Sequence, residues 1–210
     1  MKQRGLPLLV KKALDRAIAG SALVVAAPVI AVAALAVRRT MGAPAFFTQT
    51  RAGLHGKPFV IHKLRTMNEA RDRRGQLLPD DERLTKLGRF LRSSSIDELP
   101  QLWNVLKGDL SLVGPRPLLM DYLPLYSAEQ ARRHEVLPGL TGWAQIHGRN
   151  LTTWPERLAK DVWYVDHWSL GLDLEILAKT ALLVLRREGV TTTAGSTMPR
   201  FRGNGVVGQA

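Results

Sequence analysis

The sequence predicts an α+β protein that is mostly helical, in which a membrane-inserted segment precedes a small cytosolic domain. Three observations carry this prediction. A long uncharged stretch lies near the N-terminus, short Phe- and Val-rich runs between glycine turns predict a β-hairpin, and most of the remaining chain has apolar positions at helical spacing. We divide the chain into a membrane-inserted re-entrant helix with basic flanks (1–40), a cytosolic domain (41–190) and a loose C-terminal tail (191–210).

The uncharged stretch reads AIAGSALVVAAPVIAVAALAV and covers residues 17–37. A straight helix of this length would be roughly 31 Å long, enough to cross a bilayer core. Pro28 lies near its midpoint and predicts a break between two helical halves. Basic residues flank both ends, and the positive-inside rule therefore favours entry and exit on the same face: Lys2, Arg4, Lys11, Lys12, Arg16, Arg38 and Arg39. A single-span anchor and a signal peptide are the alternatives.

The composition favours a polyanionic partner and excludes several kinds of site. The 210 residues carry a formal net charge of +12, which suits nucleic acid, an anionic membrane face or phosphorylated substrates. Cysteine is absent, so disulfides, thiolate zinc sites and cysteine nucleophiles are excluded. The five histidines form no HExxH pattern, and the sequence contains neither a P-loop nor a GxGxxG motif.

Local patterns place the elements of the cytosolic domain. Turn signals at Gly42, Gly53 and Gly56 separate two short strands, which end near Lys63. The stretches DERLTKLGRFLRSSS, LPQLWNVLKG, DYLPLYSAEQARRHEVL, TWPERLAKDVWYVDHWSL and DLEILAKTALLVLRRE each predict a helix. The second should end at Gly108. The last has a broad apolar face and basic ends, which suit either the core or an amphipathic helix in the membrane interface.

Two adjacent acids, Asp97 and Glu98, lie in SSSIDELPQLWNVLKG. Pro100 is tolerated only in the first turn of a helix, which makes Asp97 the N-cap if Pro100 is the third helical residue. Ser95 could instead form a capping box with Glu98, at the expense of a hydrogen bond at Pro100. Either arrangement puts both carboxylates at a helix N-terminus, where the macrodipole stabilises anions.

Most acid pairs at helix starts only cap the helix, and that interpretation stays open for this pair. The surrounding cations favour a functional role, because Arg92 precedes the pair, Lys107 follows it, and Arg116 lies between two prolines in GPRP. A carboxylate that attacks a phosphoryl group needs such cations, which neutralise the charge of the phosphate before an anion can approach.

With these motifs in this order, the chain resembles the monotopic phosphoglycosyl transferases, the bacterial sugar transferases that begin glycan assembly on polyprenol (undecaprenyl) phosphate. The resemblance covers Lys11 to about Glu188 and is carried by the proline-containing hydrophobic segment, RAGLHGKPFVIHKLRTM, RLTKLGRFLRSSSIDELPQLWNVLKGDLSLVGPRP, LPGLTGWAQIHGRN and DVWYVDHWSL. One departure is Ala27, where many members have a serine before the helix-breaking proline. The chain looks like the minimal catalytic form of the family.

The resemblance implies the following expectations. The protein would transfer a phosphosugar from a UDP-sugar to polyprenol phosphate and release UMP, with Mg2+ as cofactor, on the cytosolic face of the bacterial inner membrane, as the first membrane step of glycan or exopolysaccharide assembly. Asp97 would be the nucleophile that forms a phosphosugar–aspartyl intermediate, and Glu98 would hold Mg2+ with it or support the proton and charge balance. The candidates for binding phosphates and nucleotide are Lys63, Arg65, Arg92, Arg116 and Arg149.

A membrane-tethered protein that binds nucleic acid or anionic lipid without catalysis is the main rival, supported by the net charge of +12. A membrane-associated scaffold is a second rival. The cations are dispersed among apolar helices without a known nucleic-acid-binding module, so we expect no nucleic acid partner. The sequence does not indicate which sugar is transferred or the oligomeric state.

Overall fold

A computed structural model describes residues 3–148, 152–186 and 199–203. In these ranges the protein is mostly helical, as the sequence predicts, with two small two-stranded sheets. The helices are α1 (Gly5–Met41), α2 (Asp80–Arg83), α3 (Lys86–Ser93), α4 (Leu102–Lys107), α5 (Ala128–Ala131), α6 (Trp143–Ile146), α7 (Trp154–His167) and α8 (Leu170–Arg186); the strands are β1 (Phe46–Ala52), β2 (Pro58–Leu64), β3 (Ser111–Val113) and β4 (Gly139–Thr141).

Helix α1 is the one described helix that is long and apolar enough to span a membrane. It is continuous through Pro28, so the predicted break into two helices is not present in this backbone. A helix can absorb a proline because only one hydrogen bond is lost and the neighbouring turns keep theirs. Its buried positions form one stripe: Lys11, Asp15, Ala19, Ala26, Ala33 and Val37. Many large apolar side chains of this helix are exposed: Leu6, Leu9, Val10, Leu14, Ile18, Val24, Val25, Val29, Val32 and Leu35.

The buried stripe of α1 packs against the rest of the domain along its whole length. Small residues let the backbone approach closely, and Ala19 and Ala26 join a core cluster with Leu102, Val105 and Leu110. Further along the helix, Val37 is fully buried in a second cluster with Leu91 and other residues. Much of the core therefore lies between α1 and the body, and a further cluster around Tyr122 and Leu158 lies away from α1.

Polar contacts join the N-terminal half of α1 to the body. The Lys11 ammonium donates to Asp173 of α8 at 2.6 Å, and both side chains are buried. The Asp173 carboxylate also accepts from the Tyr164 hydroxyl at 2.7 Å and the Trp168 indole at 3.0 Å. One helical turn after Lys11, the Ser111 hydroxyl of β3 donates to Asp15 at 2.6 Å.

The predicted hairpin is confirmed. β1 and β2 are antiparallel, with Arg51 opposite Phe59 and Phe47 opposite Lys63. The parallel pair β3–β4 was not predicted, because each strand has only three residues. The backbones cross closely there, and a side chain at Gly114 would lie 2.4 Å from the Leu137 carbonyl oxygen.

Several predicted boundaries need correction. The helix expected over DERLTKLGRFLRSSS is two helices, because Leu84 pairs with Met67 and Thr85 caps α3 through the Gly88 amide. The helix expected over DYLPLYSAEQARRHEVL is divided into α5 and two flanking 3-10 turns. Helix α4 ends at Gly108, which has a positive φ of 88°, as predicted. Most of the tail lies outside the described residues, but Phe201 is buried against Tyr122, which attaches this part of the tail to the body.

Candidate active site

The adjacent acids lie in a short 3-10 helix, Ile96–Gln101, which we call the acidic turn. Helix α3 ends just before it, and Ser95 reverses the chain in the left-handed conformation, with φ 58°. Asp97 is the second residue of this turn rather than an N-cap, and Ser95 makes no capping hydrogen bond through its side chain. Both predicted capping schemes are therefore wrong, because they assumed that one α-helix begins at the acids, whereas α4 begins only at Leu102.

The residue that fixes the acidic turn against the hairpin is Asn104. Its side chain is fully buried in α4 and bonds to the backbone of β2. The amide nitrogen donates to the Val60 carbonyl at 2.7 Å, and the amide oxygen accepts from the His62 backbone N–H at 3.3 Å. Buried polar groups tolerate little displacement once they are paired, so this clamp sets the distance between the turn and Lys63.

Glu98 joins two cations from distant parts of the chain. The Lys63 ammonium lies 2.5 Å from Oε1 of Glu98, and Nη2 of Arg116 also lies 2.5 Å from that oxygen. Nη1 of Arg116 donates to the second carboxylate oxygen at 3.3 Å, which makes the pair bidentate. Burial alone would raise the pKa of Glu98, but the charges of Arg116 and Lys63 lower it well below its usual value. Glu98 is therefore a permanent anion that holds two cations together.

Asp97 has a different environment from its neighbour. Only 7% of the surface of Asp97 is exposed, and the described structure contains no hydrogen bond to its carboxylate. Burial, assisted by the charge of Glu98, raises the pKa of Asp97 from 3.8 to about 6, while Lys63, Arg116 and Arg92 act in the opposite direction. At neutral pH the carboxylate is mostly ionised and poorly solvated, which is the state expected of a nucleophile.

The backbone of Arg116 is fixed by a buried ion pair that the sequence did not indicate. The Arg133 guanidinium donates to the Arg116 carbonyl at 2.7 Å. The same guanidinium pairs with Asp161 of α7 through bonds of 3.0 and 2.7 Å, and both side chains are almost completely buried. A rigid backbone at Arg116 reduces the freedom that its guanidinium loses on binding an anion.

The remaining predicted cations occupy different places. Arg92 lies on α3, where its Nε donates to the Thr66 hydroxyl at 3.0 Å, and its charge acts on Asp97. The Arg65 guanidinium instead donates to the carbonyls of Met41 and Gly42 at the C-terminal end of α1, so the structure does not bring it to the acidic turn. Arg149 lies outside the described residues.

Sequence reasoning missed two arginines near this cluster. The charge of Arg116 acts on both Arg51 and Arg157. Burial lowers the pKa of Arg157 to about 10, and its guanidinium lies 5.7 Å from the ring of Trp154. The hairpin period could have indicated Arg51, because it falls on the same face as Lys63. No local pattern distinguishes Arg157 from a solvated helical charge.

The arrangement is a poorly solvated carboxylate beside several cations, which suits covalent chemistry on a phosphoryl group. A model of the bacterial sugar transferase family matches residues 6–187 of the chain. The chain belongs to the bacterial sugar transferase family. This membership confirms the prediction of a sugar-phosphate transferase enzyme.

Three similar proteins support the assignment to the sugar transferases. The uncharacterized sugar transferase EpsL of Bacillus subtilis is 63% identical over 81% of this chain and 85% of its own length. The UDP-glucose:undecaprenyl-phosphate glucose-1-phosphate transferase of Caulobacter vibrioides is 45% identical over 81% of this chain and 67% of its own length. The undecaprenyl-phosphate galactose phosphotransferase of Salmonella typhimurium is 42% identical over 70% of this chain, which is only 35% of its own length.

Proposed function

We propose that this sugar transferase moves a phosphosugar from a UDP-sugar to polyprenol phosphate through a phosphosugar–Asp97 intermediate, and that it releases UMP. The observation that carries the proposal is the buried Asp97 carboxylate, which has no hydrogen bond in the described structure and lies beside the cations held by Glu98. The names of the Caulobacter and Salmonella relatives support the donor and the acceptor class.

In the first half-reaction, an Asp97 oxygen attacks the phosphorus that carries the sugar. A new P–O bond forms to Asp97, the P–O bond to the uridine-side phosphate breaks, and UMP leaves with the electron pair. Lys63 and Arg116 offset the negative charge of the diphosphate as the carboxylate approaches. In the second half-reaction, a phosphate oxygen of polyprenol phosphate attacks the same phosphorus, and the bond to Asp97 breaks.

Glu98 acts in this scheme by positioning the two cations. Both of its oxygens accept from Arg116 or Lys63, so its carboxylate keeps the two positive charges close to each other before the substrate arrives. Without the anion, Lys63 and Arg116 would repel each other in a poorly solvated site. This arrangement favours the charge-balancing role of Glu98 over direct metal binding.

Mg2+ is the cofactor we propose. Of the two acids predicted to hold it, Asp97 has a carboxylate without a hydrogen bond in the described structure, whereas both oxygens of Glu98 are occupied by Lys63 and Arg116. No group of three or more acidic or histidine side chains suited to a metal occurs in the described part of the chain. We propose that the phosphates of the donor supply the further ligands of the ion, which is common for Mg2+. When bound, the ion would neutralise phosphate charge.

We propose one-sided attachment of the protein to the cytosolic face of the bacterial inner membrane. Body contacts along α1 run from Lys11 to Val37, which is roughly 39 Å of helix and more than the roughly 30 Å bilayer core. A helix that crossed the bilayer would carry the contacts at one of its ends, including the charged Asp173, to the opposite face. Attachment to one face of the membrane, with α1 packed along the body, keeps all these contacts together.

The chain contains no cysteine, which allows a direct test of sidedness. Single cysteines at Arg4 and Arg73, both exposed positions, should be labelled from the same side in oriented vesicles. Labelling of the two positions from opposite sides would contradict one-sided attachment. Pro28→Ala should leave the result unchanged if the body contacts hold the helix, and should produce a spanning fraction if the proline turns the chain.

A groove beside the acidic turn supports a lipid acceptor. Its volume is about 650 Å³, and it runs along α1 to Leu99, the residue after Glu98. Its lining is almost entirely apolar: Ala17, Ile18, Ser21, Ala22, Val25, Ala26, Val29 and Leu99. An amphiphile with a phosphate head could place its head at the cations and its chain on this helix.

The deciding experiment is a single turnover with purified protein, a panel of UDP-sugars and Mg2+, without polyprenol phosphate. The wild type should release at most one UMP per protein and gain the mass of a phosphosugar on the peptide that contains Asp97. Asp97→Asn should do neither, whereas the exposed control Asp81→Asn should behave as the wild type. A membrane-tethered binding protein or a scaffold would release no UMP with any sugar.

A further inference from the structure

Arg51 lies near Arg116, one of the two cations that Glu98 binds, and the charges of Arg116 and Glu98 both act on it. In β1 it faces Phe59 across the hairpin, and the alternation of side chains puts it on the same face as Lys63. On the other edge of β1, Arg51 pairs with Leu119, and the Ala52 backbone N–H donates to the Leu118 carbonyl at 3.1 Å. This segment directly follows Arg116-Pro117. The pairing of β1 with β2 and with Leu119 therefore places Arg51 close to the segment that contains Arg116.

The bonding of Arg51 differs from that of its neighbours. Lys63 and Arg116 are both paired with Glu98, but no carboxylate among the described residues lies within salt-bridge distance of Arg51. One terminal nitrogen donates to the Gln49 side chain at 2.5 Å, and the Nε atom is buried without a hydrogen-bond partner. Burial lowers the pKa of Arg51, and the charge of Arg116 lowers it further. A half-buried cation with an unused donor is costly, unless an anion binds there.

The charges around each group indicate where that anion would lie. The pKa of Asp97 is shifted by the charges of Glu98, Lys63, Arg116 and Arg92. The pKa of Arg51 is shifted by those of Arg116, Tyr122 and Glu98. Glu98 and Arg116 thus act on both groups, whereas Asp97 is not among the charges that act on Arg51. A diphosphate whose sugar-bearing phosphorus faces Asp97 would extend its second phosphate past Arg116 towards Arg51.

We propose that Arg51 binds the uridine-side phosphate of the donor, the group that leaves as UMP; this inference rests on the proposed function. As the P–O bond to UMP breaks, its electron pair stays on an oxygen of that phosphate. The Arg51 guanidinium stabilises the growing charge through its free donors, and Gln49 orients it. Polyprenol phosphate attacks after UMP has left, so Arg51 has no part in the second half-reaction.

The test separates the two half-reactions. Arg51→Gln removes the charge, and Arg51→Lys keeps the charge without the planar fork. We expect UMP release in the first turnover to slow about 10- to 100-fold in Arg51→Gln, the usual effect of losing a hydrogen bond to a charged group, and less in Arg51→Lys. UMP should also bind the Gln variant at least several-fold more weakly. Discharge of the accumulated adduct by polyprenol phosphate should keep the wild-type rate.

The control is Arg73→Gln, which removes one positive charge at an exposed loop position and should leave both half-reactions and UMP binding unchanged. Equal UMP release and binding in Arg51→Gln and the wild type would overturn the inference, as would equal slowing of both half-reactions. If Arg51→Gln does not fold, the same measurements on Arg51→Lys decide. If the wild type releases no UMP, both the proposed function and the role of Arg51 fail. If the wild type releases UMP and the Arg51 variants do so at the same rate, the role of Arg51 fails but the proposed function stands.

Discussion

Replacement of Asp97 by asparagine should abolish turnover and at the same time stabilise the fold. Asparagine has nearly the shape of aspartate, and no described hydrogen bond to the carboxylate would be lost. It cannot form the acyl phosphate that the proposed intermediate requires. Asparagine is also uncharged, at a position where only 7% of the residue surface is exposed and the anion Glu98 is adjacent. The two effects share one cause, the poor solvation of the ionised carboxylate.

The size of the stabilisation follows from the pKa of Asp97. The pKa rises from 3.8 in the unfolded chain to about 6 in the folded protein. Each pKa unit is worth about 1.4 kcal/mol, so ionised Asp97 costs the folded state about 3 kcal/mol. The cost is absent below pH 4, where both states are protonated, grows as the pH rises, and is complete above pH 6. Asp97→Asn should therefore gain about 3 kcal/mol at pH 8, and almost nothing at pH 4.

Thermal unfolding in detergent at a series of pH values measures this difference. For a chain of this length, about 3 kcal/mol corresponds to a rise in melting temperature of roughly 6 to 12 °C at pH 8. The exposed Asp81→Asn serves as the control and should show no such pH-dependent gain. A variant that is no more stable than the wild type at pH 8, or whose gain does not vary with pH, would show that burial does not destabilise this carboxylate. Substantial turnover in the variant would remove Asp97 as the nucleophile.

Four further outcomes follow from the same geometry. The single-turnover rate of UMP release should rise with pH around a midpoint near 6, because only ionised Asp97 attacks; a flat profile between pH 5 and 8 would contradict this assignment. Glu98→Gln should destabilise the protein, the opposite of Asp97→Asn. Because the pKa of Glu98 is lowered in the folded protein, its ionised carboxylate stabilises the fold above the pKa of the unfolded chain, and this contribution is lost as the pH falls. The variant should therefore have a lower melting temperature than the wild type at pH 7. Arg116→Lys should slow UMP release about tenfold or more, since an ammonium cannot replace the bidentate contact with Glu98, and wild-type rates would exclude that contact from the site. Lys11→Met should destabilise the protein by about 3 kcal/mol in thermal or denaturant unfolding, because it leaves the buried Asp173 without its cation; an unchanged midpoint would show that the pair does not hold α1 to the body.

The comparison of sequence and structure is clearest at the acidic turn. The proximity of Asp97 and Glu98 follows directly from the sequence. The GPRP motif favoured a functional role for Arg116, and the family resemblance implied Lys63 and Arg116 as phosphate ligands. Their opposite pKa shifts are not local properties. They arise because Arg116 and Lys63 both reach Glu98, from positions 18 and 35 residues away, and leave Asp97 without a partner among the described residues.

The sequence alone determined the features that depend on neighbouring residues: a long uncharged helix with basic flanks, a hairpin between glycine turns, the end of α4 at Gly108, and the family resemblance. Tertiary structure decided the features that depend on which surfaces meet. Helix α1 continues through Pro28 because it packs along the body, and the Arg65 guanidinium binds carbonyls at its C-terminal end. Arg51 and the Arg133–Asp161 pair lie near Arg116 only in the folded protein. The physical reason is that burial and charge pairing act through space, over separations that no local sequence pattern records.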